Sequence, residues 1–288
     1  MPKKKTPLIR MAICYDFDGT LSPRNMQEYG FIKRLGLDPD HFWKKSNGLA
    51  VENQADPILA YMKLMIEESK AAGQPFRKKD FVDDGKTVRF YPGVVDWFKR
   101  ISTYALERGV QLDHYIISSG LQEMIEGTKI ASNFKRIFAS RFMYDQKGVA
   151  VWPAIGLNYT TKTQFLYRIN KGCEDISDNV GVNKFVEFED RPVPFTHMIF
   201  LGDGETDIPC MRMLRSLGGY AVAVYRPKNA KSEKMAEKLI NEERVNIAAL
   251  ADYRPNKDID VFVRTVINKI VADAHLSSEI KKLNQVKK

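Results

Sequence analysis

No apolar run in these 288 residues approaches the roughly 18 that a membrane-spanning helix requires, so a membrane-embedded protein is not expected. The basic opening Met1–Pro2–Lys3–Lys4–Lys5–Thr6–Pro7 leads straight into the strand-like Leu8–Ile9–Arg10, leaving no room for a secretory signal. Cysteine is scarce. Cys14, Cys173 and Cys210 lack metal-ligand spacing, and so sparse and odd a count fits a reducing, cytoplasmic compartment. The 4 histidines include no HxxxH pair, and His114 and His197, each read as opening a strand, are expected to make structural hydrogen bonds. Internal repeats and low-complexity tracts are missing. No basic helix, zinc finger or aromatic ribonucleoprotein motif accompanies the net charge of +9. Its lysines and arginines are spread out, with short clusters at Lys3–Lys5, Lys281–Lys282 and Lys287–Lys288. That charge implies a general attraction for anionic substrates, with a polynucleotide end as the alternative. What remains is a globular composition, 44% hydrophobic and 11% aromatic, sufficient for one large domain or a core with an insert.

Chemistry is concentrated where apolar runs end. Met11–Ala12–Ile13–Cys14–Tyr15 reads as a buried strand and stops at Asp16–Phe17–Asp18–Gly19–Thr20–Leu21. Side chains alternate along a strand, so Asp16 and Asp18 start on one side, where like charges resist joint ionisation. A bound divalent cation or a shared proton would relieve the repulsion. A second run, Met198–Ile199–Phe200–Leu201, ends in Gly202–Asp203–Gly204–Glu205–Thr206–Asp207. A third, Tyr115–Ile116–Ile117, ends in Ser118–Ser119–Gly120, and Lys162 stands near the start of an expected helix. In open α/β sheets, functional groups gather outside the carboxyl ends of strands. Carboxylates, hydroxyls and an ammonium on that edge suit a magnesium ion and a phosphate. An all-oxygen ligand set also favours magnesium over zinc. Plainer roles compete: Ser118 or Ser119 could cap the helix starting near Leu121, Lys162 could be solvated, and Asp207 could be an ordinary first-turn acid. Glu205 is read as only part of a helix start.

The order DxDGT, strand–Ser, Lys, GDGxxD resembles the haloacid dehalogenase superfamily of phosphohydrolases, from Ile9 to about Tyr253. Ser119–Gly120 after the serine, and Ala139–Ser140–Arg141–Phe142 before a short hairpin, are similar to the phosphoserine phosphatase branch. The resemblance implies an α/β fold: a Rossmann-like three-layer core with a parallel sheet, and a small all-helical cap inserted after the first strand. The core would be residues 1–21 and 91–288 and the cap 22–90. It further implies Asp16 as nucleophile and Asp18 as general acid and base. Magnesium would be held by Asp16, Asp203 and the Asp18 carbonyl, with Asp207 orienting or completing the shell. Ser118 and Ser119 would bind phosphate, with Lys162 balancing its charge. The activity implied is magnesium-dependent hydrolysis of a small phosphomonoester through an aspartyl phosphate. The alternatives are a phosphotransferase or mutase, a nucleic-acid 3′-phosphatase and, from another class, a non-catalytic binding protein. Asp18 speaks against a dehalogenase, which has no leaving alkoxide to protonate. Where the branch carries an early acidic residue that greets a substrate ammonium, this chain reads Ser22–Pro23–Arg24–Asn25–Met26–Gln27–Glu28. Glu28 could be a displaced counterpart of that acid, but Arg24 is expected to bring positive charge near the mouth, so an anionic or neutral ester is as plausible as phosphoserine.

The inserted segment reads as helical. A helix over Asn25–Leu35 is followed by one capped by Asp38 with Pro39 in its first turn, then by an amphipathic helix from Asp56–Pro57 to about Ala72 and a short one near Lys78–Asp84. The core pattern resumes with a helix over Val94–Arg108 and a strand over Val110–Ile117, and later strands lie near Ile137–Phe142 and Val149–Trp152. A helix over Thr160–Asn170 precedes a Gly-, Asp-, Asn- and Pro-rich surface loop over Gly172–Pro194. Ile208–Leu217 and Ala230–Asn241 are expected helices, Tyr220–Tyr225 and Ile247–Ala251 expected strands, and a last helix runs from Ile259 to about His275.

Overall fold

Among the residues described by the computed structural model, 8–285, seven strands form one sheet. They are β1 (Ile9–Tyr15), β2 (Val110–Leu121), β3 (Arg136–Tyr144), β4 (Ala150–Ile155), β5 (Met198–Gly202), β6 (Tyr220–Tyr225) and β7 (Ile247–Leu250). Their order across the sheet is β4-β3-β2-β1-β5-β6-β7, parallel throughout except for the β3–β4 hairpin. The chain leaves β1 toward β2 on one side and later returns to place β5 on the other. A crevice therefore opens at the carboxyl ends of these three strands. The expected α/β three-layer core is present. The basic residues Lys3–Lys5 and Lys287–Lys288 lie outside the described residues.

Strand alternation builds the layers. Met11, Ile13 and Tyr15 face an apolar cluster that includes Trp97 and Phe98 of α5 (Val94–Leu106), Met124 of α6 (Gln122–Glu126) and Val263 and Ile267 of α11 (Asp258–Gln285). Ala12 and Cys14 face the opposite cluster with Phe165 of α7 (Tyr159–Lys171), Met211 of α9 (Ile208–Ser216) and Leu239 of α10 (Ala230–Asn241). A polar relay crosses the first layer. Trp97 Nε1 donates to Tyr15 Oη at 2.8 Å, Tyr15 Oη meets His114 Nδ1 at 3.0 Å, and His114 Nε2 meets Ser102 Oγ at 2.9 Å. With its oxygen accepting from the indole, the tyrosine gives its proton to Nδ1, leaving Nε2–H to donate to the serine. His114 and His197, whose Nδ1 lies 3.1 Å from the Arg10 carbonyl, thus make the expected structural contacts, although His114 sits inside its strand.

Between β1 and α5 lie α1 (Phe31–Arg34), α2 (Pro39–Glu52), α3 (Pro57–Ala71) and α4 (Lys78–Gly85). Asp38 caps α2 through the His41 amide, and Asp56 caps α3 through the amides of Ile58 and Leu59. The expected helix over 25–35 is instead a 3₁₀ turn, Met26–Glu28, and the single turn α1. Gly30, at φ −121 and ψ −81, separates them, and the Asp84 side chain packs against it, 2.2 Å from where a Cβ would stand. The insertion is tied to the core through the Phe81–Phe142 ring stack at 5.6 Å and through Asn158 Nδ2, which donates to Asp56 Oδ2 at 3.0 Å. Elsewhere β2 runs four residues past the expected end, through a register shift between Ser118 and Leu121. The 172–194 loop contains α8 (Asn179–Asn183) and a 3₁₀ turn, Phe188–Asp190. Buried Arg168 clamps this loop by donating to the carbonyls of Asp175, Ile176 and Asp178. Helix α11 continues ten residues beyond His275. No helix among the described residues is long and apolar enough to cross a membrane.

Candidate active site

Asp16 directly follows β1, and its amide donates to the Leu201 carbonyl at 2.9 Å, fixing the turn against β5. Gly19 closes that turn at φ +82, and a Cβ there would stand 1.9 Å from Asp203 Oδ2. Only glycine satisfies both the backbone and the close approach. The DxDG spacing therefore lets the first acidic loop nest against the second. One carboxylate oxygen each from Asp16, Asp203 and Asp207 lies within 4.8 Å of the others.

Lys162, with no solvent exposure, stands beneath this cluster. Its Nζ donates to Asp16 Oδ1 at 3.1 Å, Asp207 Oδ1 at 2.7 Å and Thr206 Oγ1 at 3.3 Å. Burial opposes its charge, but the two carboxylates outweigh that and raise its pKa, so it remains an ammonium. Burial, then the charges of Asp16 and Asp207, push Asp203 up to about 7 against the opposing effect of Arg226. Burial and Asp16 likewise raise Asp207 despite Lys162. Two cations, Lys162 and Arg226, leave one of the three carboxylates of Asp16, Asp203 and Asp207 unneutralised. An all-oxygen set with residual negative charge fits a hard divalent cation such as magnesium.

Asp18 faces elsewhere. Its Oδ1 accepts from the Met26 amide at 3.0 Å, and its side chain lies outside the three-acid cluster. Burial and the Asp16 charge raise its pKa well above the usual carboxylate range, which favours a proton on it. Beside it the β2 irregularity presents two hydroxyls. Ser118 Oγ accepts from the Gly120 amide at 3.1 Å, and Ser119 Oγ is buried without a partner. The N-cap of α6 is Leu121 and no side chain caps it, so neither serine does the capping job. Asp207 likewise is no solvated first-turn acid, since it is fully buried against Lys162.

These groups open into a cavity of 290 Å³. Its core side includes Asp16, Asp18, Ser118, Ser119, Asp203 and Arg226, and its other wall comes from the insertion, with Asn25, Gln27, Trp43, Ile58 and Tyr61. Tyr61 Oη donates to the Ser119 carbonyl at 2.8 Å, fastening α3 to the β2 bend. Arg24 is exposed and is not among the residues lining the cavity, although its neighbour Asn25 is. The cavity's cation is Arg226, whose Nη2 donates to Asp203 Oδ2 at 3.3 Å. Arg226 escaped the sequence reading although it follows the carboxyl end of β6, on the same edge as the acids. Glu205, read as bland, stands at the exposed rim. Gln27 gave no signal, because nothing in a sequence marks a glutamine for burial.

The model of the haloacid dehalogenase-like hydrolases matches residues 13–212, and the chain belongs to that family of hydrolases. A curated but uncharacterized protein of Borreliella burgdorferi is 27% identical over 273 residues, covering 84% of this chain and 91% of its own. Among solved structures, a HAD family hydrolase of Salmonella enterica is similar at a TM-score of 0.58 and 13% identity, over 91% of this chain and 72% of that one. An apo phosphoserine phosphatase has a TM-score of 0.52 at 17% identity, over 83% of this chain and 92% of that one. The phospho-aspartyl intermediate analogue of phosphoserine phosphatase has 0.52 at 15%, over 89% and 99%. These likenesses establish a shared fold.

Proposed function

We propose that the chain is a magnesium-dependent phosphatase that hydrolyses a small phosphomonoester through an aspartyl phosphate on Asp16. The observation that carries this reading is the three-acid cluster over a fully buried Lys162, at the floor of a cavity that Asp18, Ser118 and Ser119 also line. Asp16, Asp203 and the Asp18 carbonyl would hold the magnesium, with Asp207 completing or orienting the shell; the ion supplies charge neutralisation to the transferring group. Two unit charges of like sign 4 Å apart repel by roughly 4 kcal/mol at an effective dielectric near 20, which is the barrier a carboxylate meets at a phosphate. Lys162 offsets part of it from below Asp16.

In the first step an Asp16 carboxylate oxygen bonds to phosphorus as the P–O bond to the alcohol breaks, and Asp18 gives its proton to the leaving alkoxide. In the second, Asp18, now ionised, takes a proton from water as the water oxygen attacks phosphorus. Phosphate leaves and the Asp16 carboxylate is restored. The hydroxyls of Ser118 and Ser119 donate to phosphoryl oxygens. We assign residues 22–90 the role of a cap over a core of 1–21 and 91–288, excluding water during the first step. The cavity volume of 290 Å³ supports a small ester over a polynucleotide end. The free thiols of Cys14, Cys173 and Cys210 support a reducing, cytoplasmic setting.

Phosphate release from a broad phosphomonoester panel, with magnesium and with EDTA, tests the reading beside Asp16→Asn. Magnesium-dependent release that the variant lacks is expected. No release from any ester by folded protein contradicts hydrolysis. If phosphate instead passes to an added alcohol in place of water, the chain is a phosphotransferase.

A further inference from the structure

The insertion's side of the cavity carries no charged side chain. Its residues are Asn25, Gln27, Trp43, Ile58 and Tyr61. Glu28, the nearby acid that could have met an ammonium, does not line the cavity. Its Oε1 is taken by Asn25 Nδ2 at 3.0 Å and Trp43 Nε1 at 3.1 Å. Arg226 is already engaged by Asp203, and Glu205 stands at the exposed rim where solvent screens its charge. A charged substituent pressed against the insertion would lose hydration and meet no charged side chain lining that wall, which costs several kcal/mol.

Gln27 is the second observation. It is 2% exposed, lines the cavity, and its Oε1 has no hydrogen-bond partner. A buried amide oxygen left unpaired is costly, and a ligand donor would satisfy it. A carboxamide offers an acceptor and two donors on one plane. A hydroxyl can pair with both ends at once, whereas an ammonium would satisfy the oxygen but accept nothing from the amide N–H groups, and a carboxylate could not satisfy the oxygen at all. Beside Gln27, Trp43 and Tyr61 meet edge to face at 5.8 Å and 72°, and Ile58 adds aliphatic surface. Apolar ring surface next to an amide suits the C–H faces and hydroxyls of a polyol.

Resting on the phosphatase reading, we infer that the leaving group is an uncharged, hydroxyl-bearing alcohol of polyol or sugar type, recognised by Gln27 against the Trp43–Tyr61 corner. An amino alcohol or an amino acid such as serine does not fit that wall. The likeness to phosphoserine phosphatases therefore ends at the fold and the catalytic edge.

The experiment compares kcat/KM for glycerol 3-phosphate and a hexitol phosphate with O-phosphoserine and phosphoethanolamine, using p-nitrophenyl phosphate as a probe of the chemistry alone. The polyol esters are expected to exceed both charged esters by about tenfold or more, the effect of one neutral hydrogen bond plus an avoided unpaired charge. Gln27→Leu is expected to lower the ratio of hexitol phosphate to p-nitrophenyl phosphate turnover by about tenfold. Preference for O-phosphoserine or phosphoethanolamine, with p-nitrophenyl phosphate hydrolysed, overturns the inference and leaves the phosphatase reading standing. An unchanged ratio in folded Gln27→Leu overturns the role of Gln27. Failure on every ester, p-nitrophenyl phosphate included, overturns both. The wild-type ranking decides the leaving group even where the variant does not fold.

Discussion

Lys162 has no contact with solvent and donates to both Asp16 and Asp207, so removing its ammonium leaves two buried carboxylates facing one another. Lys162→Met is expected to cost about 3 kcal/mol of stability in EDTA, read from urea unfolding, because a buried pair has lost one partner. An unchanged midpoint would contradict that role. Gly19→Ala forces a side chain into a φ of +82 and onto the Asp203 carboxylate. A loss of about 1–3 kcal/mol and a fall in magnesium-supported turnover are expected; stability and kcat within twofold of wild type would show that the two acidic loops do not nest as described. With Asp18 proposed to handle both protons, Asp18→Asn should slow both formation and hydrolysis of the phosphoenzyme, measured by rapid quench. Normal turnover would remove Asp18 from acid–base work. At this scale the acids, serines and lysine were legible because each sits beside a recognisable strand end or helix start. Arg226 and Gln27 were not: their significance depends on which distant residues meet them, and neither local spacing nor residue type reports that.

Among the elements, β2 and the insertion show where local pattern yields to packing. The strand was legible from its apolar run, but its resumption at Leu121 after the Ser118–Gly120 irregularity depends on pairing with β3, a long-range contact. The expected helix over 25–35 is interrupted at Gly30, whose backbone is non-helical and which leaves room for Asp84 of α4 to pack against it, a long-range contact no local pattern reports. Helices α2 and α3 announced themselves through Asp38–Pro39 and Asp56–Pro57, which act within one turn and so can be read locally. The Tyr15–His114–Ser102 relay joins β1, β2 and α5, and burial pulls the His114 pKa from 6.5 down to about 4. The unfolded chain therefore binds the extra proton first as pH falls. Stability should be full above about pH 6.5 and decline toward pH 4, by about 3 kcal/mol from this group. Urea unfolding across that range tests it against His114→Gln, which is expected to show a shallower pH slope. Equal slopes would mean that His114 is not held neutral.

The whole molecule sets the carboxyl edge of the sheet and the inserted helices on two sides of one cavity. The crevice follows from topology: β1 lies between β2 and β5, so the DxDG loop, the serine bend and the GDGETD loop must meet outside their ends. The order of motifs made that much of the site legible, and family membership agrees with it. The cavity's far wall was not legible, since it is assembled from five side chains spread over residues 25–61 whose common direction arises only on folding. The net charge of +9, which raised the prospect of a polynucleotide, does not enter the cavity as a basic lining; Arg226 is the cation there and it is paired with Asp203. The most direct measurement is acid quench of the wild-type protein during turnover of a ³²P-labelled ester, followed by peptide mapping. The account predicts transient covalent label on Asp16 that vanishes in Asp16→Asn together with activity. Steady phosphate release with no protein-bound label, undiminished in Asp16→Asn, would contradict it.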